Sequence, residues 1–422
     1  MNPGSRRLGA MPRRFFRNIL IVMSGTGVSQ LLAIAASPLL TRLYDPAAFG
    51  VFGVFLAISA LVTPLAAFSY DTAIVTAKRD SDARLLATMC LVFVCCVSVV
   101  TALTLLALSG QFWRLLGVPA AQYWYWLVPS MVLLTGLHQT LNHVWMRGSQ
   151  FSLVSVSRVC QSLGALATHV GAGLAGLVPA GLLAGAVAGQ LASLLPAVAV
   201  GLRRGRYDRV VPLRKHDFVR LLREHLSLAA FKSLQRLTRT GSEALVTLLI
   251  TALFGAAAAG AYALTKRVMA VPSELAGESY RKVFFPRIAQ IHHSSPASTR
   301  AEIRRSMAIL LTICSIPTIA VSVFGQSLFA FMFGEEWRQA GDIASIMVVL
   351  AASRLVTTPS TASTPVLGLQ RPHFLIDSLR LGGTVVAVAV GASFGSLTIA
   401  LIGIVMVSVL ADLTVTALVL RR

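Results

Sequence analysis

Hydrophobic residues along the chain are concentrated in long segments that short polar connections separate. A helix of about 20 apolar residues crosses the hydrocarbon core of a bilayer, whereas open strands leave backbone groups unpaired in lipid. Twelve segments reach this length: Ile19–Leu40, Gly50–Ser69, Leu85–Leu108, Tyr123–Trp145, Phe151–Val170, Leu177–Val200, Leu226–Phe254, Ala258–Phe285, Ala308–Phe331, Ile343–Leu369, Leu375–Phe394 and Leu397–Leu420. The pattern predicts an all-α polytopic membrane protein with about 12 transmembrane helices in two six-helix bundles.

The longest inner connection divides the chain into two halves of six segments each. We predict an N-terminal bundle over residues 1–202, a cytoplasmic linker over 203–225 and a C-terminal bundle over 226–422. A short internal similarity supports this division, because Thr41-Arg-Leu-Tyr44 leads to Gly50 and Thr251-Ala-Leu-Phe254 leads to Gly260. Both matches have the same offset of 210 residues, the difference between 260 and 50. A parallel repeat of this kind places a binding site between the halves.

The seventh segment is apolar yet carries Lys232, Arg236, Arg239 and Glu243. Spacings of four, three and four residues place these side chains along one stripe of a helix. A basic side chain at the centre of a bilayer costs about 2.5–3.5 kcal/mol. We therefore expect the stripe to face a wet cavity inside the bundle.

The eighth segment carries a second stripe, because Arg267, Glu274, Glu278 and Arg281 also share one helical face. The acidic and basic side chains of the two stripes could form ion pairs with each other, which would leave little net electrostatic field in the cavity. Alternatively, their five basic residues exceed their three acidic ones and would attract an anion in a low-dielectric cavity. The predicted substrate-binding residues are Lys232, Arg236, Arg239, Arg267, Arg281 and Arg354, the last lying deep in the tenth segment.

Acidic residues near or within the segments are the candidates for ion coupling, because burial and nearby arginines can bring a carboxylate close to neutral titration. These candidates are Glu243, Glu274, Glu278, Asp71 and Asp377. Asp71 is alternatively an interfacial acid that reaches the membrane surface, and Asp377 is placed to form a local ion pair with Arg380. Arg158, near the inner end of the fifth segment, is expected to reach the interface.

Basic residues are distributed very unevenly among the connections. The chain has a net charge of +21 and a mean hydropathy of +0.74. With the N-terminus inside, 26 basic residues fall on the inner side, whereas only Arg42, Arg114 and Arg338 fall on the outer side. Because cytoplasmic loops are enriched in Lys and Arg, we predict a multi-pass protein of the bacterial inner membrane with both termini cytoplasmic. Anionic lipid headgroups account for this charge, so no nucleic acid partner is expected.

Motifs for covalent chemistry are lacking in the sequence. The five cysteines lie within hydrophobic segments and have no metal-ligand spacing. There is no glycine-rich phosphate loop, nucleophile elbow or HExxH sequence. We therefore predict no catalytic residue, no metal and no cofactor, and a protein that is not an enzyme.

A set of short motifs follows in order along the chain. The first is the run Ser24–Leu32 followed by Ser37–Phe52. The later ones are Tyr70–Asp80, Arg203–Asp208, Tyr262–Pro272, Phe333–Gly341, Thr358–Pro359 and Leu369–Gln370. Together they resemble the polysaccharide-synthesis or O-antigen repeat-unit flippases, a family of the multidrug/oligosaccharidyl-lipid/polysaccharide exporter superfamily, and the first run is similar to the opening hairpin of that family. This resemblance extends in order over nearly the whole chain. It departs at Asp71, where the family more often has glutamate.

The resemblance implies translocation of undecaprenyl-pyrophosphate-linked oligosaccharide repeat units across the inner membrane by alternating access. Such a step serves the biosynthesis of lipopolysaccharide O-antigen, capsule or exopolysaccharide. The implied partners are the lipid-linked substrate, membrane lipids and polymerase or ligase proteins of the same pathway. Arginine forks suit the pyrophosphate because they bind its oxygens bidentately.

Two other functions are open at this point. A cation-coupled multidrug or small-solute antiporter of the same superfamily would need an acidic and aromatic cavity rather than a basic one. A membrane-embedded polymerase or ligase would need a large outer loop, whereas every predicted outer loop is short.

Overall fold

The computed structural model describes residues 13–108, 113–114, 116–118, 124, 126–204, 215–294 and 296–421, and these residues contain helices and no strand. The helices of the first bundle are α1 (Arg13–Ala35), α2 (Ser37–Leu43), α3 (Pro46–Ala66), α4 (Asp71–Thr76), α5 (Asp80–Ala107), α6 (Leu127–Arg147), α7 (Phe151–Leu174), α8 (Ala180–Ser193) and α9 (Leu195–Arg204). The helices of the second bundle are α10 (Lys215–Phe254), α11 (Ala256–Ser294), α12 (Pro296–Phe333), α13 (Arg338–Val356), α14 (Thr358–Ser363), α15 (Gln370–Ser393) and α16 (Leu397–Arg421). Broken helices such as α1–α2 and α13–α14 each form one span, so the predicted all-α architecture is confirmed.

Eight helical spans of the described chain are long and apolar enough to cross a membrane by hydropathy alone. The fully described helices α6 and α7 are not among them, although each exceeds 20 residues in length. Both helices carry several histidine, amide and hydroxyl side chains. Polar residues inside a bundle at membrane depth usually mark a functional cavity, which directs attention to these two helices.

Prolines interrupt two of the spans. The tenth span breaks at Thr357, and Pro359 lies in the first turn of α14. The first span breaks at Ala36, and Pro38 lies in the first turn of α2. Proline has no amide hydrogen and restricts the residue before it, so a helix commonly ends or bends there.

One predicted boundary differs in the structure. Helix α10 begins at Lys215, inside the stretch predicted as a linker, and continues without interruption to Phe254. The charged residues of this stretch indicate a linker. A helix that extends beyond the membrane keeps its backbone hydrogen bonds in water, however, and that part of the helix can carry charged residues. The rest of the predicted linker, residues 205–214, lies outside the described residues.

The two bundles meet closely where α3 and α11 begin. We call this the outer end, following the predicted topology, and the opposite end the inner end. A Cβ atom added to Gly50 would clash with the carbonyl oxygen of Ala256, and one added to Gly260 would clash with that of Pro46. The two contacts are related by the offset of 210 residues that the sequence contains. Only glycine allows the backbones to approach this closely.

Trp337 closes the same end from the second bundle. Its indole Nε1 donates a hydrogen bond of 3.1 Å to the carbonyl oxygen of Thr41. Its ring meets Phe49 edge to face, with 4.9 Å between the centroids. The side chain is almost completely buried, so the outer end is sealed by apolar packing and close backbone contact.

The inner ends of the bundles are joined by polar contacts in addition to apolar packing, in which Phe218 of α10 meets Phe93 of α5 edge to face. Arg220 of α10 lies 2.7 Å from Asp82 of α5, and Tyr70 donates a hydrogen bond of 3.1 Å to the carbonyl of Leu222. The hydrogen bond that Asp82 accepts raises the pKa of the Arg220 guanidinium above its ordinary value. The inner part of α10 therefore rests on the first bundle.

Candidate functional site

A cavity of about 530 Å³ that is lined by both polar and apolar side chains lies inside the first bundle. Helices α1, α6 and α7 provide most of its lining, while Gln190 of α8 and Arg267 of α11 complete it. Because α11 belongs to the second bundle, the first-bundle cavity is closed in part by a side chain from the other half. The helices that line it include the two that were too polar for the hydropathy criterion.

Two arginines face this cavity. Arg158 donates a hydrogen bond of 2.5 Å to Thr26 Oγ1, and Arg267 donates one of 2.9 Å to the carbonyl oxygen of Ala33. Among the side chains that the structure describes, no aspartate or glutamate lines the cavity, and none forms an ion pair with either arginine. The prediction that Arg158 reaches the membrane interface is therefore wrong, because a hydroxyl on α1 holds it inside the bundle.

Amide, hydroxyl and imidazole groups occupy the rest of the polar lining. His138 Nε2 lies 3.1 Å from Ser157 Oγ and 3.1 Å from Asn142 Nδ2. Asn142 Oδ1 and Thr135 Oγ1 are buried and have no hydrogen-bond partner within the described part of the chain. Buried polar atoms normally have partners, so these two are positions where a ligand or water would bind.

The stripe of α10 is used in two different ways. Arg236 lies 3.2 Å from Asp71 of α4, and Glu243 lies 2.8 Å from Lys266 of α11. Lys232 and Arg239, on the same face, are exposed and form no ion pair with any described carboxylate. Because Arg236 touches the first bundle and Glu243 touches α11, this face of α10 lies between the two halves.

Asp71 is buried completely, with an exposed side-chain fraction of 0%. It accepts a hydrogen bond of 2.9 Å from the backbone N–H of Thr72, and His143 Nδ1 lies 3.4 Å from its other oxygen. The alternative of an interfacial acid at the membrane surface does not hold. The sequence placed Asp71 beside Lys78 and Arg79, but its partner is an arginine 165 residues away.

The second bundle contains a balanced cluster of acids and bases. Asp377 lies 2.7 Å from Arg380, which confirms the predicted local pair, and Arg380 lies 3.3 Å from Asp412. Asp412 also accepts a hydrogen bond of 3.4 Å from Ser353. Arg354 acts electrostatically on both Asp412 and Glu243, although the hydrogen bonds of Asp412 go to other residues.

Sequence reasoning missed the first-bundle cavity and the fact that Arg158 and Arg267 both line it. It also missed Asp412. Asp412 is a lone acid in an otherwise apolar segment, a signal that should have singled it out. Of the remaining predicted residues, Arg281 is exposed and unpaired within the described chain. The side chains of Glu274 and Glu278 lie outside the described part of the structure.

The fold is similar to that of several solved transporters. An inward-facing multidrug resistance MATE family transporter of the MOP superfamily has a TM-score of 0.75 at 14% identity, over 92% of this chain and 93% of its own. A MOP superfamily transporter from Pyrococcus furiosus has a TM-score of 0.61 at 15% identity, over 97% and 96% of the two chains. A Vibrio cholerae MATE transporter has a TM-score of 0.55 at 15% identity, over 97% and 95%. At these identities the similarity shows the fold alone.

Sequence comparison assigns the family. No functionally curated protein matches the chain. The family described as polysaccharide biosynthesis protein matches residues 39–342, which is well over half of the sequence. The chain is therefore a multi-pass membrane protein that belongs to the polysaccharide biosynthesis protein family and has the fold of MOP superfamily transporters.

Proposed function

We propose that the protein translocates a pyrophosphate-linked oligosaccharide lipid from the cytoplasmic to the periplasmic leaflet of the bacterial inner membrane. The observation that carries the proposal is the first-bundle cavity, whose described lining includes two arginines and no acid. Fixed positive charge in a low-dielectric interior attracts anions and repels cations. Membership of a polysaccharide biosynthesis family supports a saccharide-bearing anion as the substrate.

The pyrophosphate is best accommodated on the stripe of α10. Lys232 and Arg239 are unpaired among the described residues and lie on the face between the halves. A prenyl tail has to remain in the bilayer, so the pyrophosphate attached to it stays close to the gap between the bundles. Arg236 is held by Asp71, and it becomes available only when that ion pair opens.

Alternating access is consistent with how the two ends are closed. At the outer end, Gly50, Gly260 and Trp337 bring the bundles into direct contact. At the inner end, the bundles are joined by the pairs Asp71–Arg236 and Asp82–Arg220. Opening towards the outside would separate the contacts at the outer end. The ion pairs at the inner end can open, and their arginines can then bind an anionic substrate.

Ion coupling would draw on the acids of the second bundle. Glu243, Asp377 and Asp412 each face a basic residue at 2.7–3.3 Å. Protonation of one of these carboxylates would release its basic partner, and binding equilibria linked in this way are reciprocal. Asp71, Glu274 and Glu278 remain candidates for the same role, together with downstream consumption of the product as the energy source.

The competing function is export of cationic drugs, because several structural neighbours are described as multidrug transporters. The neighbour from Pyrococcus furiosus is described by a binding pocket of reverse polarity that suggests a different function. The basic cavity of this chain disfavours a cationic ligand, and a binding experiment separates the two functions.

The experiment uses the full-length protein in lipid nanodiscs, with farnesyl pyrophosphate and tetraphenylphosphonium as the two probes. We expect farnesyl pyrophosphate to bind, and Arg239→Gln or Lys232→Gln to weaken it about tenfold, the loss of one charged hydrogen bond. The matched control is Arg338→Gln, an exposed arginine at the outer end that pairs with Glu335. Binding of tetraphenylphosphonium without binding of farnesyl pyrophosphate would favour the drug exporter.

Translocation is then measured in proteoliposomes that contain a prenyl-pyrophosphate glycan labelled with a fluorophore on its sugar. A membrane-impermeant quencher added outside reports how much label has crossed. We expect quenching to exceed that of protein-free liposomes and to be reduced by Arg239→Gln but not by Arg338→Gln. Equal quenching with and without the protein would contradict the proposed function.

A further inference from the structure

Basic residues that form no ion pair with a described carboxylate include two separate groups. Lys232 and Arg239 lie on the face of α10 between the bundles, whereas Arg158 and Arg267 line the first-bundle cavity. Neither residue of the α10 group belongs to the cavity lining. A substrate with a single pyrophosphate would use one group and leave the other uncompensated.

The two arginines of the cavity are spread along its length. Arg158 is bonded to Thr26 and Arg267 to Ala33. These two positions on α1 are seven residues apart, which is two helical turns and about 10 Å along the helix axis. The anchored guanidinium groups therefore do not form one compact clamp around a single phosphate, and they place positive charge at both ends of the space between them.

Amide and hydroxyl groups fill the interval between the arginines. Asn142 Oδ1 and Thr135 Oγ1 offer unsatisfied hydrogen-bonding positions, and Gln190 and Ser162 also line the space. The volume of about 530 Å³ is in the range of pockets that enclose a small ligand. Polyhydroxylated rings suit such a lining, because their hydroxyls both donate and accept hydrogen bonds.

We propose that the first-bundle cavity is a glycan subsite that selects an acidic repeat unit, in which Arg158 and Arg267 bind a carboxylate or phosphate group carried by the sugar. The inference rests on the proposed function and goes beyond it. The tethered pyrophosphate stays near α10, and the glycan is the part of the substrate that is free to enter the first-bundle cavity. A neutral glycan would leave both guanidinium groups without a counter-charge, whereas an acidic one supplies it.

The test measures binding of soluble sugars to the full-length protein in nanodiscs. Trigalacturonate carries a carboxylate on every ring, a phosphorylated maltotriose carries a phosphate, and maltotriose is the neutral match of both. We expect at least one acidic trisaccharide to bind about tenfold or more tightly than maltotriose, since charge-assisted hydrogen bonds are about twice as strong as neutral ones. The better of the two acidic probes identifies the anionic group.

Variants assign the sites. Arg158→Gln and Arg267→Gln should each weaken the acidic trisaccharide about tenfold and change the affinity for farnesyl pyrophosphate less than about twofold. Arg158→Lys keeps the charge but loses the fork, so it should rescue only part of the affinity. Arg338→Gln is again the control. If Arg158→Gln fails to fold, Arg267→Gln and the wild-type preference among the three sugars still decide the question.

Two results would overturn the inference. One is equal binding of maltotriose and both acidic trisaccharides by the wild-type protein. The other is a loss of farnesyl pyrophosphate affinity in Arg158→Gln as large as the loss for the sugar, which would make the cavity the pyrophosphate site and leave the proposed function standing. Absence of farnesyl pyrophosphate binding in the wild-type protein would instead count against the proposed function itself.

Discussion

The first-bundle cavity is lined by Arg158 and by Arg267 of the second bundle and has no described acid, whereas ion pairs within the second bundle join Asp377 and Asp412 to Arg380 and Glu243 to Lys266. Both arrangements place charge at membrane depth, where a lone charge is expensive. In these ion pairs the charges compensate one another within the protein. At the cavity no described carboxylate compensates the two arginines, and water or a bound anion can do so.

This difference separates two kinds of polar group in a helical bundle. In a balanced cluster each carboxylate faces a base. The cluster therefore stabilises the folded protein, and a carboxylate that takes up a proton can release its basic partner. An unbalanced pair contributes little to stability and is retained when a ligand needs it. Substitutions in the balanced cluster should therefore affect stability more than transport, whereas substitutions of the cavity arginines should affect transport more than stability.

The largest expected effect on stability comes from Asp412→Ala. Removal of one partner of a buried ion pair costs about 3–5 kcal/mol, and we expect the lower value because Asp377 would still face Arg380. Ser353 would also lose its acceptor. The free energy of unfolding in detergent measures the loss.

Asp377→Ala is the matched control for that experiment. Asp377 is 34% exposed, whereas the side chain of Asp412 is 8% exposed, and both contact the same arginine. We expect removal of the more exposed carboxylate to lower the free energy of unfolding by about 1 kcal/mol, because water compensates the arginine there. A loss for Asp377→Ala as large as that for Asp412→Ala would show that burial does not control the cluster.

The second prediction concerns Asp71 and Arg236, one of the two ion pairs of the described chain that join the bundles at the inner end. Arg236→Gln leaves a fully buried carboxylate facing only His143 and the backbone of Thr72. We expect a loss of about 2 kcal/mol, less than for Asp412→Ala because Arg236 is itself 36% exposed. An unchanged free energy of unfolding would indicate that the pair serves conformational change alone.

The helices, the division into halves and the polar stripe of α10 could be predicted from the sequence, because hydropathy and periodicity depend on nearby residues. The partners of the stripe could not. Arg236 binds Asp71 and Glu243 binds Lys266, and these pairs depend on how three helices pack. A helical face can be read from spacing, whereas the charge opposite it depends on tertiary structure.

The first-bundle cavity was missed for a related reason. Ser, Thr and amide residues in membrane helices often bond only to their own backbone, so they are weak signals one at a time. Arg158 and Arg267 come from different halves of the chain and meet only after the bundles associate. The low hydropathy of α6 and α7 was the usable hint, because two adjacent polar spans are costly unless they enclose water or a ligand.

The third prediction tests the balanced cluster for coupling. Glu243→Gln keeps the size of the side chain and removes the charge that faces Lys266. Both side chains are about 40% exposed, so we expect a stability loss of about 1 kcal/mol at most. Transport in proteoliposomes should lose its acceleration by an imposed pH gradient while sugar and farnesyl pyrophosphate still bind. Retained acceleration would move the coupling role to Asp377, Asp412 or Asp71.

The last prediction concerns Arg158→Gln, for which we expect the smallest effect on stability and the largest effect on transport. Arg158→Gln removes an uncompensated charge and leaves an amide that can still donate to Thr26. The lost hydrogen bond costs about 0.5–1.5 kcal/mol, but the variant also avoids holding a guanidinium without a counter-ion at membrane depth. We therefore expect a melting temperature equal to or above that of the wild type, together with a clear loss of transport for an acidic substrate. A melting temperature that falls as far as that of Asp412→Ala would mean that Arg158 is a structural residue. The contrast between the two bundles would then reflect packing rather than ligand binding.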